Sequence, residues 1–179
     1  MNGRTIVKAV AGAVLGVALL LGGCVSVTEF LNEDFLADLG LQGQVASLPG
    51  DAPALLVAIE NATSRWVEVI VAYRESGSSS KSYTAVVAPN ARTAQMLVCP
   101  IEEITLGDLS NPRAIGAVVR LGSGSPTDAF IEVEPFGAVL RDGVNYDCGD
   151  GLTFVVQRSG ATLSGYQTFA YIQRAGDGS

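Results

Sequence analysis

The chain has 179 residues, 48% of them hydrophobic and only 16% charged, with a net charge of −7 and no histidine. That length holds one domain, or one domain and a tether, and the apolar fraction is too high for a disordered chain. The acidic balance excludes a nucleic-acid partner, because nothing would neutralise phosphates, and the lack of histidine excludes His–Asp triads, His general bases and His-ligated metal.

Residues 1–23 read MNGRTIVKAVAGAVLGVALLLGG. Arg4 and Lys8 make a positive start, and Ala9 to Gly23 is an uncharged run of fifteen residues. This run is short of the roughly 20 residues that a permanent membrane helix needs. It fits the apolar core of a secretory signal peptide. The run ends in Leu21-Gly22-Gly23-Cys24: an aliphatic residue, two small residues, then Cys. This pattern resembles the lipobox of bacterial lipoproteins, and the resemblance covers only about the first 24 residues. It implies that the Cys24 thiol receives a diacylglyceryl group, that the chain is cut before Cys24, and that the new amino group is acylated. Two or three acyl chains, at about 0.8 kcal/mol per buried CH₂, give stable anchoring where one does not. Residue 25 is Val rather than Asp, which by the same resemblance implies the outer membrane, facing the periplasm, in a Gram-negative source. The competing reading is an uncleaved anchor with a chance Cys.

Cleavage leaves residues 24–179, with nine basic residues against eighteen acids and a net charge of −9. Such a body is repelled by anionic lipid surfaces, so lipid rather than charge would hold it at the membrane. Residues 24–53 are expected to form the lipidated start, a short helix and a linker. Residues 28–40, TEFLNEDFLADLG, place Leu31, Phe35, Leu36 and Leu39 on one helical face. Glu29, Glu33 and Asp34 favour the early turns and Gly40 is a natural stop. The expected role is packing on the chain's own domain; a docking helix for a partner is the sharper alternative. Pro and Gly then mark the connection through residues 46–53.

From residue 54 β-branched alternation takes over. Leu55, Val57 and Ile59 share one face; Val67, Val69, Val71 and Tyr73 share another. Further strands are expected at 82–88, 93–99, 114–121, 128–134, 137–141, 152–158 and 166–173, with Asp142-Gly143 and Asp150-Gly151 among the turn signals. Short strands without intervening helices predict an antiparallel β-sandwich of eight or nine strands over residues 54–175, immunoglobulin-like at most in architecture. Trp66 is the expected core or rim anchor, but it precedes both domain cysteines, so no Cys…Trp…Cys order exists. Residues 176–179 are expected to fray.

Cys99 and Cys148 are an even pair in a domain expected to face an oxidising compartment, which predicts a disulfide. Closing a loop of about 50 residues contributes about 4 kcal/mol in the chain-entropy model. Free buried thiols are the alternative; a catalytic Cys lacks a histidine to activate it.

Few other residues point to chemistry. Ser78-Ser79-Ser80-Lys81 is a formal Ser-x-x-Lys, a spacing that works on a helix turn, but here it lies between two strand patterns. Glu132 and Glu134 share a strand face, and a glycosidase needs two carboxylates flanking a cleft; a polar sheet edge accounts for them equally. Asp142, Asn145, Asp147 and Asp150 offer oxygen ligands for Ca²⁺, although their spacing departs from the usual loop and Asx residues also populate turns. Asn61-Ala62-Thr63 reads as a turn, and Glu102-Glu103 as solvated charge before a strand over ITLGDL. No cofactor is expected.

The expected function is a non-catalytic, lipid-anchored β-sandwich of the cell envelope, serving structure or contact with an envelope protein. One alternative is a small-ligand carrier, which predicts a large apolar pocket. The other is a carboxylate-dependent envelope hydrolase, which predicts acids converging in a cleft.

Overall fold

The structure, a computed structural model, describes residues 53–174. Its strands are β1 (Ala54–Ala62), β2 (Trp66–Glu75), β3 (Ser80–Val87), β4 (Arg92–Val98), β5 (Ile101–Leu106), β6 (Ala117–Arg120), β7 (Phe130–Glu132), β8 (Leu140–Arg141), β9 (Gly151–Arg158) and β10 (Tyr166–Gln173). No helix occurs among the described residues, so the all-β expectation holds. The expected helix at 28–40 and the tail from Ala175 lie outside them.

Two sheets pack together. One has the order β10-β9-β1-β4; the other runs β7-β6-β2-β5-β8, with β3 also paired to β2. The alternation read from the sequence is what closes the space between them. Leu55, Val57 and Ile59 of β1 and Leu152, Phe154 and Val156 of β9 point in from one sheet. Val67, Val69 and Val71 of β2, with Ile104, Leu106 and Val119, point in from the other. All are buried, and each contributes about 1.5–3 kcal/mol of apolar transfer free energy.

The pairing departs from the expectation in one respect. β1 and β9 are parallel neighbours, whereas every other strand pair is antiparallel. The chain leaves β1 for the second sheet and returns later, so the crossover a parallel pair needs runs through the opposite layer.

On one side, β2 changes partner halfway along. β6 pairs with Trp66 to Val69 and β5 with Val71 to Glu75. At the handover Ile70 donates its N–H to the Gly116 carbonyl (2.8 Å) and accepts from Gly107 N–H (2.9 Å). A Cβ on Gly116 would sit 2.5 Å from the Gly107 nitrogen and the Leu106 carbonyl carbon. Glycine is therefore what lets two chain segments abut here, and β6 begins just after it, at Ala117 rather than 114. The expected strand over 137–141 shrinks to Leu140–Arg141, because residues 133–139 cross the side of the sandwich and seat Phe136 edge-on against Phe154 (5.3 Å). β7 likewise shortens to three residues, since after Glu132 the chain turns toward the other sheet, where Glu134 N–H reaches the Tyr166 carbonyl.

Candidate functional site

Cys24, the expected lipidation site, lies outside the described residues. What is on view is the end of the sandwich where the chain coming from it arrives. Pro53 and Ala54 lead into β1 there. Cys99 N–H donates to the Pro53 carbonyl (3.0 Å), Gly149 N–H to the Ala54 carbonyl (3.1 Å), and Leu56 N–H to the Asp150 carbonyl (3.2 Å). The first strand is thus gripped on both flanks at its start. The flanks are joined covalently: Cys99, just past β4, and Cys148, just before β9, form a disulfide with Cα atoms 6.1 Å apart and a sequence separation of 49. The predicted pairing is present. It clamps the two neighbours of β1 at the point where the leading segment enters the fold.

The loop that brings Cys148 here is set by buried polar contacts. Tyr146 is fully buried and donates its hydroxyl to the Ile101 carbonyl (2.8 Å). Burial pushes its phenol well above the ordinary tyrosine value, with the Asp142 and Glu103 carboxylates adding to the rise. Asn145 accepts the Arg141 N–H through Oδ1 (2.9 Å), and Asp150 accepts the Asp147 N–H (2.8 Å).

The calcium reading of this loop is not supported. Arg174 donates to Asp147 at 2.6 Å and to Asp150 at 3.5 Å, and also to the Asn145 carbonyl. The Arg174 guanidinium pairs with both of these carboxylates, while Asp142 uses its backbone to reach Glu102 and Tyr146. Among the described residues no cluster of three or more His, Cys, Asp or Glu is placed to hold a metal.

The remaining sequence candidates do not converge. Glu132 lies exposed on β7, and Glu134 lies exposed on the loop beyond it. Ser78 is in the β2–β3 turn, where no helix aims it at Lys81. Lys81 instead donates to Glu75 (2.6 Å), which raises the amine above its ordinary value. Trp66 is a rim anchor on the outer face of its sheet, with its ring under Gly124 (φ +88°).

Three residues carry more than the sequence reading assigned them. Asn61 is fully buried: its amide nitrogen donates to the Arg65, Val87 and Ala88 carbonyls, and its Oδ1 accepts from Thr63 N–H and Oγ1. Glu103 is inside β5, not ahead of it, and bridges Arg74 and Arg141. Arg120 is buried, bound to Glu68 (2.5 Å) and to the Pro126 and Asp128 carbonyls, with Phe130 stacked 5.3 Å away. A charge at a strand end gave a signal for none of these long-range partnerships.

A cleft of about 200 Å³ opens between the β3 and β4 edges, lined by Val57, Ile59, Tyr83, Thr93 and Gln95. That is below the ~300–1,000 Å³ of typical ligand pockets. The Tyr83 hydroxyl is buried beside it without a hydrogen-bond partner, and burial, with Tyr73 adding, raises its pKa strongly.

No protein-family model and no curated protein matches this chain. Among solved structures it is similar to the membrane-binding domain of pneumolysin, at 8% identity and a TM-score of 0.36, over 68% of this chain and 99% of that one. A likeness at that level defines neither a shared fold nor a shared role.

Proposed function

We propose that the protein is a lipoprotein of the cell envelope, cut before Cys24 and held at the membrane by lipid on that residue. Its β-sandwich is non-catalytic and serves structure or contact with another envelope protein. In a Gram-negative source, Val25 favours the outer membrane, with the domain facing the periplasm. The observation that carries this reading is the Cys99–Cys148 disulfide. A bond of this kind persists in oxidising compartments and is rare in the cytosol, and that agrees with the secretory pattern of residues 1–24. The clamp's position supports the reading further, since it braces the strand that a tether from Cys24 would pull on. The arrangement of Glu132 and Glu134 does not favour the carboxylate hydrolase, because both are exposed and neither lines the cleft at β3 and β4. The small cleft at β3 and β4 is a weaker basis for a carrier than for a packing seam.

The test is metabolic labelling with palmitate in cells making the native chain or the Cys24→Ala variant. The native chain is expected to take the label and the variant to lose it. An unlabelled native chain contradicts the proposal.

A further inference from the structure

The two long sides of the sandwich are closed differently. Along β10, residues 133–139 run past the edge of the sheet. Glu134 N–H donates to the Tyr166 carbonyl (3.3 Å), and Phe136 packs edge-on against Phe154 in the core (5.3 Å). One extended segment there supplies both a backbone partner and an apolar plug. On the other side, β3 and β4 are the outermost strands of their sheets, and among the described residues no segment pairs with their free edges.

That side has the same two needs. Asn61 N–H reaches the Ala91 carbonyl (2.9 Å), and Cys99 N–H reaches the Pro53 carbonyl (3.0 Å). The β1–β4 register is unbroken between them, so the odd-numbered residues of β4 bond to β1. Ala94, Met96 and Val98 therefore turn N–H and C=O to the free edge. Next to this row lies the cleft of about 200 Å³, bounded by buried Val57 and Ile59 and by Tyr83, Ala85, Thr93 and Gln95. An apolar cavity of about 150 Å³ takes benzene, so the cleft has room for one large side chain. The Tyr83 hydroxyl, buried beside it, has no hydrogen-bond partner.

Charge narrows the occupant further. Residues 82–91 and 93–100 contain no charged side chain. Arg92, near the β3–β4 turn, is paired with Glu60, and Lys81, at the far end of β3, is paired with Glu75. Exposed edge strands are commonly blunted by charges, proline or bulges, and β4 has none of these between Thr93 and Val98.

We infer that this side receives an extended, uncharged segment of a partner protein. The segment adds a strand to β4, sets one large apolar side chain into the cleft and accepts a hydrogen bond from the Tyr83 hydroxyl. The inference rests on the proposed contact with an envelope protein and gives that contact its place on the fold. A second copy of the domain is a poorer occupant, because one edge of seven residues falls short of the roughly 1,600 Å² of a standard interface.

The test uses the full native protein and three uncharged nine-residue peptides of Thr and Val, with Phe, Leu or Ala at the centre. Amide hydrogen exchange at Ala94 and Met96 reads occupancy of the edge. Both amides are expected to exchange fast alone and about tenfold slower with the Phe peptide. The Leu peptide is expected to protect them too, and the Ala peptide to bind about tenfold more weakly. Tyr83→Phe is expected to bind the Phe peptide about tenfold more weakly while being more stable than the native fold; a purely structural role moves the two together. Ala85→Leu, which fills the cleft, is expected to lose binding. Slow exchange without peptide means the edge is already covered and overturns the inference. No protection by any peptide, or equal affinity of the Phe and Ala peptides, also overturns it, as does native affinity in either variant. The intact mass of the same sample shows whether the chain begins at an acylated Cys24, so a failure of the seam and a failure of the envelope reading are read separately.

Discussion

Asn61 holds together three pieces of chain that are far apart in sequence. Its five hydrogen bonds join the end of β1 to the bend at Thr63–Arg65 and to the end of β3. Asn61→Ala strands three carbonyls in a dry site, and an unsatisfied buried group costs about 1–3 kcal/mol. The variant is expected to lose about 3 kcal/mol or more in urea denaturation; a loss within experimental error would show that water replaces the amide. Tyr83 presents the opposite case, a buried hydroxyl with no partner. Tyr83→Phe removes the orphan and is expected to gain about 1 kcal/mol. Both Tyr83 and Tyr146 have folded values above the ordinary 10.0. Their contribution to stability is therefore complete below pH 10 and is lost as pH rises above it. Urea midpoints across that range are expected to fall with pH, and to fall less steeply in Tyr83→Phe.

The strand that alternates most cleanly, Val67 to Tyr73, was legible because its Val67, Val69 and Val71 face is buried and period two is the direct record of that. Pairing was not. The parallel β1–β9 contact joins residues about 95 apart in register, such as Val57 with Leu152, and no local pattern encodes it. Asn61 misled for the same reason: an Asx near a strand end looks like a turn, and its carbonyl partners at Val87 and Ala88 are visible only once β1 and β3 are placed. The disulfide was legible because the cysteine count left one pairing, although where it would clamp was not. Two changes test the elements themselves. Gly116→Ala forces a methyl against the Leu106–Gly107 backbone and is expected to cost about 1–3 kcal/mol, as overpacking does. Replacing both Cys99 and Cys148 with Ala is expected to lower stability by about 4 kcal/mol. If either change left the urea midpoint unmoved, the corresponding junction would not constrain the fold.

At the scale of the whole molecule, the described body has one feature that faces the rest of the chain. Its first strand is held on both flanks by backbone hydrogen bonds, and the flanks are joined by a disulfide. Under the proposed reading the mature chain carries nine basic residues against eighteen acids, so lipid on Cys24 rather than charge is what holds it at the membrane. The sequence pattern at Leu21 to Cys24 and the disulfide at the far end of the leading segment both agree with the proposed position of the domain beyond the cytosol. The intact mass of protein extracted from membranes tests that reading most directly. The account predicts a chain beginning at Cys24, heavier than its sequence by acyl groups and gaining two hydrogens on reduction. A mass equal to all 179 residues, leader attached and thiols free, would contradict it.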